Sequence, residues 1–149
     1  FINSNIQNSS LDIIGGPLNN DDEIYFQYLK KKYQNKNIKF IGKINYENLP
    51  EKIKKYDVNI SSAGSGFFDK SVLETISSGI INLYKNKDFN ILFENSEYFN
   101  FENESQLTEK IISLQNFTNE DIKKTFNSVR KNLELNSLET LNKRIESYL

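Results

Sequence analysis

Four short apolar runs, separated by stretches with helical spacing, constrain this 149-residue chain more than any other feature. Leu11-Asp12-Ile13-Ile14 runs straight into Gly15-Gly16-Pro17, the pattern of a buried strand entering a tight loop. Ile38-Lys39-Phe40-Ile41 stops at Gly42, and Asp57-Val58-Asn59-Ile60 leads into Ser61-Ser62-Ala63-Gly64-Ser65-Gly66. Ile80-Ile81-Asn82-Leu83 is the fourth run. Asn20, Asp21 and Asp22 are suited to cap a first helix, with Ile24, Tyr25, Tyr28 and Leu29 on one face. A second helix is expected over roughly Asn48 to Tyr56, and a third from about Asp69 to Ser78 with Gly79 as its C-cap.

Strands that alternate with helices at these spacings form βαβ units, and βαβ units build a parallel sheet covered on both faces. The expected fold class is therefore α/β, a Rossmann-like doubly wound parallel sheet. From Asp88 to Phe101 the pattern weakens, and a short helix and a short strand near Tyr98 are both compatible with it. Helical stretches are expected around Glu104–Leu114, Asn119–Leu133 and Ser137–Leu149. With no internal repeat and no linker composition, residues 1–149 read as one domain.

Composition removes several kinds of chemistry. There is no Cys and no His, so disulfides, thiolate metal sites and imidazole acid-base catalysis are all excluded. Any acid-base work falls to Asp, Glu, Lys or Tyr. The formal net charge of -1, from 19 basic and 20 acidic residues, argues against nucleic acid or an anionic membrane as an electrostatically driven partner. No run approaches the ~18 apolar residues of a membrane span, and Phe1–Ser10 lacks the charged start and apolar stretch of a signal peptide, so a cytoplasmic location is expected. Because Met is absent even from position 1, the chain reads as a processed product or a fragment. Of four Asn-x-Ser/Thr sites, the one at Asn59 falls inside an expected core strand, where a glycan would be incompatible with folding.

In open α/β sheets, ligands bind outside the carboxyl ends of the strands. Three loops belong there: Gly15-Gly16-Pro17, Gly42-Lys43-Ile44, and Ser61 through Phe68. The third carries the most information. Its small residues let the backbone approach a ligand, and it feeds a helix N-terminus, where unpaired N–H groups and the helix dipole suit a phosphate. The alternative is a turn that simply needs glycine. On the following helix Val72, Leu73 and Ile76 form the apolar face, while Lys70, Glu74 and Ser77 lie on roughly the opposite side. Glu74 is either an acceptor for sugar hydroxyls or a solvated residue paired with Lys70 at i,i+4. Asp69 is expected to be the N-cap.

The order Ile13-Ile14-Gly15-Gly16-Pro17, Ile38-Lys39-Phe40-Ile41-Gly42-Lys43-Ile44, Leu49-Pro50, Tyr56-Asp57-Val58, and Asp69-Lys70-Ser71-Val72-Leu73-Glu74 ending at Gly79 resembles the C-terminal domain of family 4 glycosyltransferases. The resemblance covers about Leu11 to Leu83, with a looser fit beyond. It implies one half of the two-domain GT-B fold, the half that holds a nucleotide-diphosphate sugar, with the acceptor bound by an N-terminal half outside this chain. It also implies retention of anomeric configuration without metal or cofactor, and a setting in cell-surface glycan or glycolipid synthesis. Membrane contact would come only through the other half, at the inner face. Carried over by position, Glu74 matches the glutamate that bonds the donor ribose. The backbone at Lys43 and Ile44 matches the loop that frames the base, and Gly15 and Gly16 are counted among the nucleotide-sugar-binding residues. Phe67, Phe68, Lys70 and Ser71, in the segment from Phe67 through Ser71, match the part whose N–H groups meet diphosphate and sugar, and Ser65 and Gly66 just before it are counted with them as nucleotide-sugar-binding. Two departures stand out. The family's second glutamate, eight residues before the first, is Gly66 here. The strand and loop that bring the family's diphosphate-binding Arg and Lys would precede Leu11 and are missing, so the chain alone is expected to be inactive. The rival readings are a sugar-nucleotide 2-epimerase, disfavoured by the lack of His, and a non-catalytic nucleotide-binding module.

Overall fold

In a computed structural model, which describes residues 1–34, 36–67 and 69–135, the four apolar runs are strands. They are β1 (Leu11–Ile14), β2 (Ile38–Gly42), β3 (Val58–Ser61) and β4 (Ile81–Tyr84). The helices between and after them are α1 (Asn20–Tyr33), α2 (Leu49–Ile53), α3 (Lys70–Ser77), α4 (Glu104–Ser113) and α5 (Asn119–Leu135). The chain is thus a mixed α/β protein in which short parallel strands alternate with helices. The strands pair as two parallel two-stranded sheets, β1 with β2 and β3 with β4. Two compact units follow that division, Phe1–Lys52 and the chain from Ile53 onward.

In the first unit, Leu11, Asp12 and Ile13 lie opposite Ile38, Lys39 and Phe40, after which the register slips so that Ile14 faces Gly42. Gly42 sits at φ 80°, a left-handed conformation that side-chain-bearing residues rarely adopt. Its carbonyl accepts from the Gly15 N–H at 2.9 Å, which ties the two strand ends together. The cap of α1 is Asn19, one residue before the expected group: its side chain accepts from the Asp22 N–H at 2.9 Å, and Asp22 in turn accepts from the Leu18 N–H at 3.2 Å. Acidic residues in the first turn and lysines in the last complement the helix dipole.

The packing face of α1 differs from the expected one. Phe26 meets Phe40 edge-to-face at 5.4 Å, and Phe26, Leu29 and Tyr33, spaced i, i+3 and i+7, are the half-buried residues. Ile24, Tyr25 and Tyr28 are exposed. On the exposed side Tyr25 stacks on Tyr28, and the Lys32 ammonium lies over the Tyr28 and Tyr33 rings.

The second unit holds most of the buried apolar residues. Val72 and Ile76 of α3 join Ile81, Leu83 and Tyr84 of β4 in a cluster completed by Phe89, Leu92, Phe93, Phe99, Phe101 and Val129. Each such side chain contributes roughly 1.5–3 kcal/mol when fully buried. Its centre is aromatic, with Tyr84 and Phe93 at 5.0 Å and Phe93 and Phe99 at 5.1 Å between ring centroids. The weakly patterned stretch after β4 forms two 3-10 turns, Lys87–Leu92 and Ser96–Tyr98. It then returns to the sheet, where the Phe101 N–H donates to the Tyr84 carbonyl at 2.9 Å. Ile122, Phe126, Val129 and Leu133 give α5 a single apolar face on this cluster.

A polar network runs through the middle of this apolar region. Asn59 and Asn82 are register partners in β3 and β4, and the Asn59 amide donates to Asn82 Oδ1 at 2.7 Å. The Thr75 hydroxyl approaches the same oxygen at 2.8 Å, and the Asn82 amide donates to the Ile80 carbonyl at 2.9 Å. Asn59 is therefore engaged in the sheet, consistent with its exclusion as a glycan acceptor. The Tyr84 hydroxyl is buried with no hydrogen-bond partner among the described residues. Burial, assisted by the nearby charge of Glu97, holds its pKa well above the ordinary tyrosine value. The third C-terminal helix expected from Ser137 lies outside the described residues. Among the described residues, no helix is long and apolar enough to cross a membrane.

Candidate functional site

The expected site residues fall in both units. In the first, Gly15, Gly16, Lys43 and Ile44 gather at the carboxyl ends of β1 and β2. Gly15 is at φ 125°, and a Cβ added at Gly16 would lie 2.9 Å from Lys43 Cγ. Lys43 is exposed, Ile44 is half-buried, and the Lys43 ammonium has no acidic partner among the described residues. Anion binding through the neighbouring N-terminus of α1 is opposed by chemistry on the spot. Asp21, Asp22 and Glu23 occupy that first turn, and Asp22 already holds the Leu18 N–H.

In the second unit, β3 delivers the chain at Ser61 into the glycine loop, and α3 starts at Lys70. Asp69 caps α3 as expected, its Oδ1 accepting from the Ser71 N–H at 3.0 Å and its Oδ2 from the Ser61 hydroxyl. Burial pushes the Asp69 carboxyl up, but these hydrogen bonds from Ser61 and Ser71 outweigh it and hold the group below its ordinary value. Gly79 takes φ 78° just past the end of the helix, but the C-cap is Ser78, so the expected C-cap glycine stands one position beyond the actual one. Phe68 lies outside the described residues.

Along α3, Val72, Thr75 and Ile76 are buried, Lys70, Ser71 and Ser77 are exposed, and Glu74 is half-buried. Leu73 is also only half-buried, and Thr75 takes the core position that apolar spacing alone would not assign to it. Among the described residues the Glu74 carboxylate has no hydrogen-bond or ion-pair partner, and it does not pair with Lys70. A carboxylate without a protein partner accepts hydrogen bonds from water or from the donors of a ligand.

The glycine loop itself is tied to the loop that leaves β4. The Gly66 N–H donates to Asp88 Oδ2 at 2.7 Å, the Lys87 N–H to Ser65 Oγ at 3.1 Å, and the Asn86 amide to the Phe67 carbonyl at 2.8 Å. Asn86 is 1% exposed and also accepts from the Asp88 N–H at 2.9 Å, so one buried side chain organises both loops. Asn86 and Asp88 were not among the residues expected from the sequence. The readable signal for them was Asn-Lys-Asp at the carboxyl end of a strand, an Asx cap opening a short helical turn.

A groove of about 850 Å³ lies elsewhere in this unit, between Phe93, Tyr98, Phe99 and Phe117 on one side and Asp121, Lys124 and Lys131 of α5 on the other. None of the expected site residues lines it, and we assign it no part in the site. Among the described residues no group of three or more acidic side chains is arranged to hold a metal ion. Compared with known protein families, curated protein sequences and solved structures, the chain matches none.

Proposed function

We propose that this chain is the donor-binding half of a GT-B glycosyltransferase resembling family 4, which transfers a sugar from a nucleotide-diphosphate sugar once joined to an acceptor-binding N-terminal half. Glu74 carries the reading. It is half-buried, unpartnered and one turn into the helix that follows the glycine loop. A carboxylate in that place accepts the ribose hydroxyls when a diphosphate lies at the loop. The strand pairing adds support. In the doubly wound order 3-2-1-4-5, strand 2 pairs with 3 and strand 4 with 5, all parallel. The pairs β1–β2 and β3–β4 are each parallel, as those pairs are.

The acceptor side belongs to the other half, and the cations for the diphosphate to the strand and loop that would precede Leu11, so transfer requires both. The test is titration of UDP, GDP and ADP against the intact protein and its Glu74→Ala variant. Hydrogen bonds to a charged acceptor contribute about 1.5–3 kcal/mol each, so the variant should bind roughly ten- to a hundredfold more weakly. Its fold stability should stay within about 0.5 kcal/mol of wild type. Equal affinity would return Glu74 to the role of a solvated surface residue and remove the reading's main support.

One observation favours a second reading, a non-catalytic nucleotide-binding module. Gly66 stands where the resembled family has its sugar-contacting glutamate, and Asp88 occupies the Gly66 N–H. Nucleotide binding by the intact protein without turnover of any nucleotide sugar would select that alternative.

A further inference from the structure

We propose that Asp88 is a built-in anion that closes the Gly66 end of the glycine loop, so that a ligand's diphosphate binds there only by displacing it. The proposal rests on the donor-site reading and concerns how that site is regulated. Gly66 lies at φ 81° in an exposed turn, and its N–H is the kind of donor a glycine loop offers to phosphate. In this structure it is taken by the Asp88 carboxylate at 2.7 Å, from a residue 22 positions along the chain.

The contact is held from behind. Buried Asn86 accepts from the Asp88 N–H and donates to the Phe67 carbonyl, which fixes Asp88 against the loop. No cation neutralises Asp88 among the described residues, since the neighbouring Lys87 ammonium pairs with Glu102 instead. A charged acceptor on a backbone N–H is a strong hydrogen bond, and a second anion at the same donor meets both a filled site and a like charge a few ångströms away. Asp88 is exposed and attached to the loop through Oδ2 alone, so rotation of its side chain is enough to free the donor.

Asp88→Asn separates charge from geometry, because the amide oxygen still accepts from Gly66. Inorganic pyrophosphate, the nucleoside diphosphates and the parent nucleosides are titrated by calorimetry into the intact wild type, Asp88→Asn and Asp88→Ala. Removing one like charge at contact should tighten pyrophosphate and nucleoside diphosphate binding roughly tenfold in Asp88→Asn, and leave nucleoside affinity unchanged. Equal or weaker pyrophosphate binding by a folded Asp88→Asn overturns the proposal. If the variants do not fold, the wild type still decides: pyrophosphate should shift the Gly66 amide and the Asp88 carboxyl resonances together, and no shift at Gly66 overturns it. Nucleotide binding that depends on Glu74 but not on Asp88 sinks the latch and spares the donor site. Tighter pyrophosphate binding in Asp88→Asn, with no nucleotide bound by any form, keeps the latch and sinks the donor site.

Discussion

Replacing Asn82 with leucine puts a number on the polar network between β3 and β4. Leucine keeps the γ-branching and heavy-atom count of asparagine but is bulkier, so the substitution leaves no cavity, removes the hydrogen bonds, and adds any cost of overpacking to their loss. Asn82 is fully buried, its Oδ1 accepts from Asn59 at 2.7 Å and from Thr75 at 2.8 Å, and its amide donates to the Ile80 carbonyl at 2.9 Å. The three partners are not left equally stranded. The Thr75 hydroxyl already lies 2.6 Å from the Ser71 carbonyl and turns to it at little cost. The Asn59 amide and the Ile80 carbonyl lose a partner, and an unsatisfied buried polar group costs about 1–3 kcal/mol. Asn59 is half-buried and falls at the low end, so Asn82→Leu should destabilise by about 2–4 kcal/mol.

The same principle predicts that removing both cross-strand partners is much milder. The double variant Asn59→Val, Asn82→Leu exchanges an amide pair for an apolar one, and a β-branched residue suits the strand. It should recover at least about 1 kcal/mol relative to the sum of the single changes. Urea unfolding followed by far-UV circular dichroism gives the energies, and amide exchange at Ile60 and Leu83 assigns them to this sheet rather than to the other unit. A loss below about 0.5 kcal/mol for Asn82→Leu, or strict additivity in the double variant, would show that these hydrogen bonds do not carry the stability assigned to them.

Asp69→Ala removes the α3 cap and should cost about 1 kcal/mol at neutral pH, measured by the shift in urea midpoint. The lowered Asp69 pKa means that its stabilisation is fully present above the unfolded value near pH 4 and is lost as pH falls through the folded value. Thermal melts of the wild type should therefore fall off below about pH 4 more steeply than those of Asp69→Asn, and parallel curves would refute the assignment. Gly79→Ala should destabilise by about 1 kcal/mol, with Gly79→Asn costing less, because asparagine tolerates the left-handed region. A Cβ at Gly79 meets nothing within 4 Å, so the effect is purely one of backbone conformation, and a neutral Gly79→Ala in the same unfolding assay would contradict φ 78° at this position.

The strands were legible because each combines a short apolar run with a stop the chain must obey, and β1 to β4 fall within one residue of the expected ranges. The Asp69 cap was legible for the same local reason. What could not be read depends on interactions distant in sequence. Ile24, Tyr25 and Tyr28 have helical spacing, but the contact between Phe26 and Phe40 decides which side of α1 turns inward. Thr75 and Asn82 are polar residues of α3 and β4, and nothing local in sequence shows that each satisfies the other in the interior. Parallel pairing was implied by the alternation, whereas division into two sheets was not, since strand order is a property of tertiary packing. In the candidate site Glu74 and Lys70 sit at i,i+4, and spacing alone left open a pairing that the structure does not make. Asp88 escaped notice because nothing near it in sequence points to a loop 22 residues away.

The two carboxylates at the glycine loop have different fates on the donor-site reading, and their surroundings decide which one gives way. Both hold N–H donors that a phosphate would otherwise use: Asp69 holds Ser71, and Asp88 holds Gly66. Asp69 offsets the positive end of α3 and Asp88 fills the Gly66 donor, so a diphosphate gains little there until one carboxylate withdraws or cations arrive from the strand and loop that would precede Leu11. Asp69 is half-buried and tied to both Ser61 and Ser71, and moving it would uncap the helix that carries Glu74. Asp88 is exposed, holds the loop through one oxygen, and is backed by an asparagine that keeps the Phe67 carbonyl whether or not Asp88 turns away. Displacing Asp88 therefore frees a donor at the ligand end of the loop without loosening the helix, while displacing Asp69 would undo the scaffold that makes Glu74 useful.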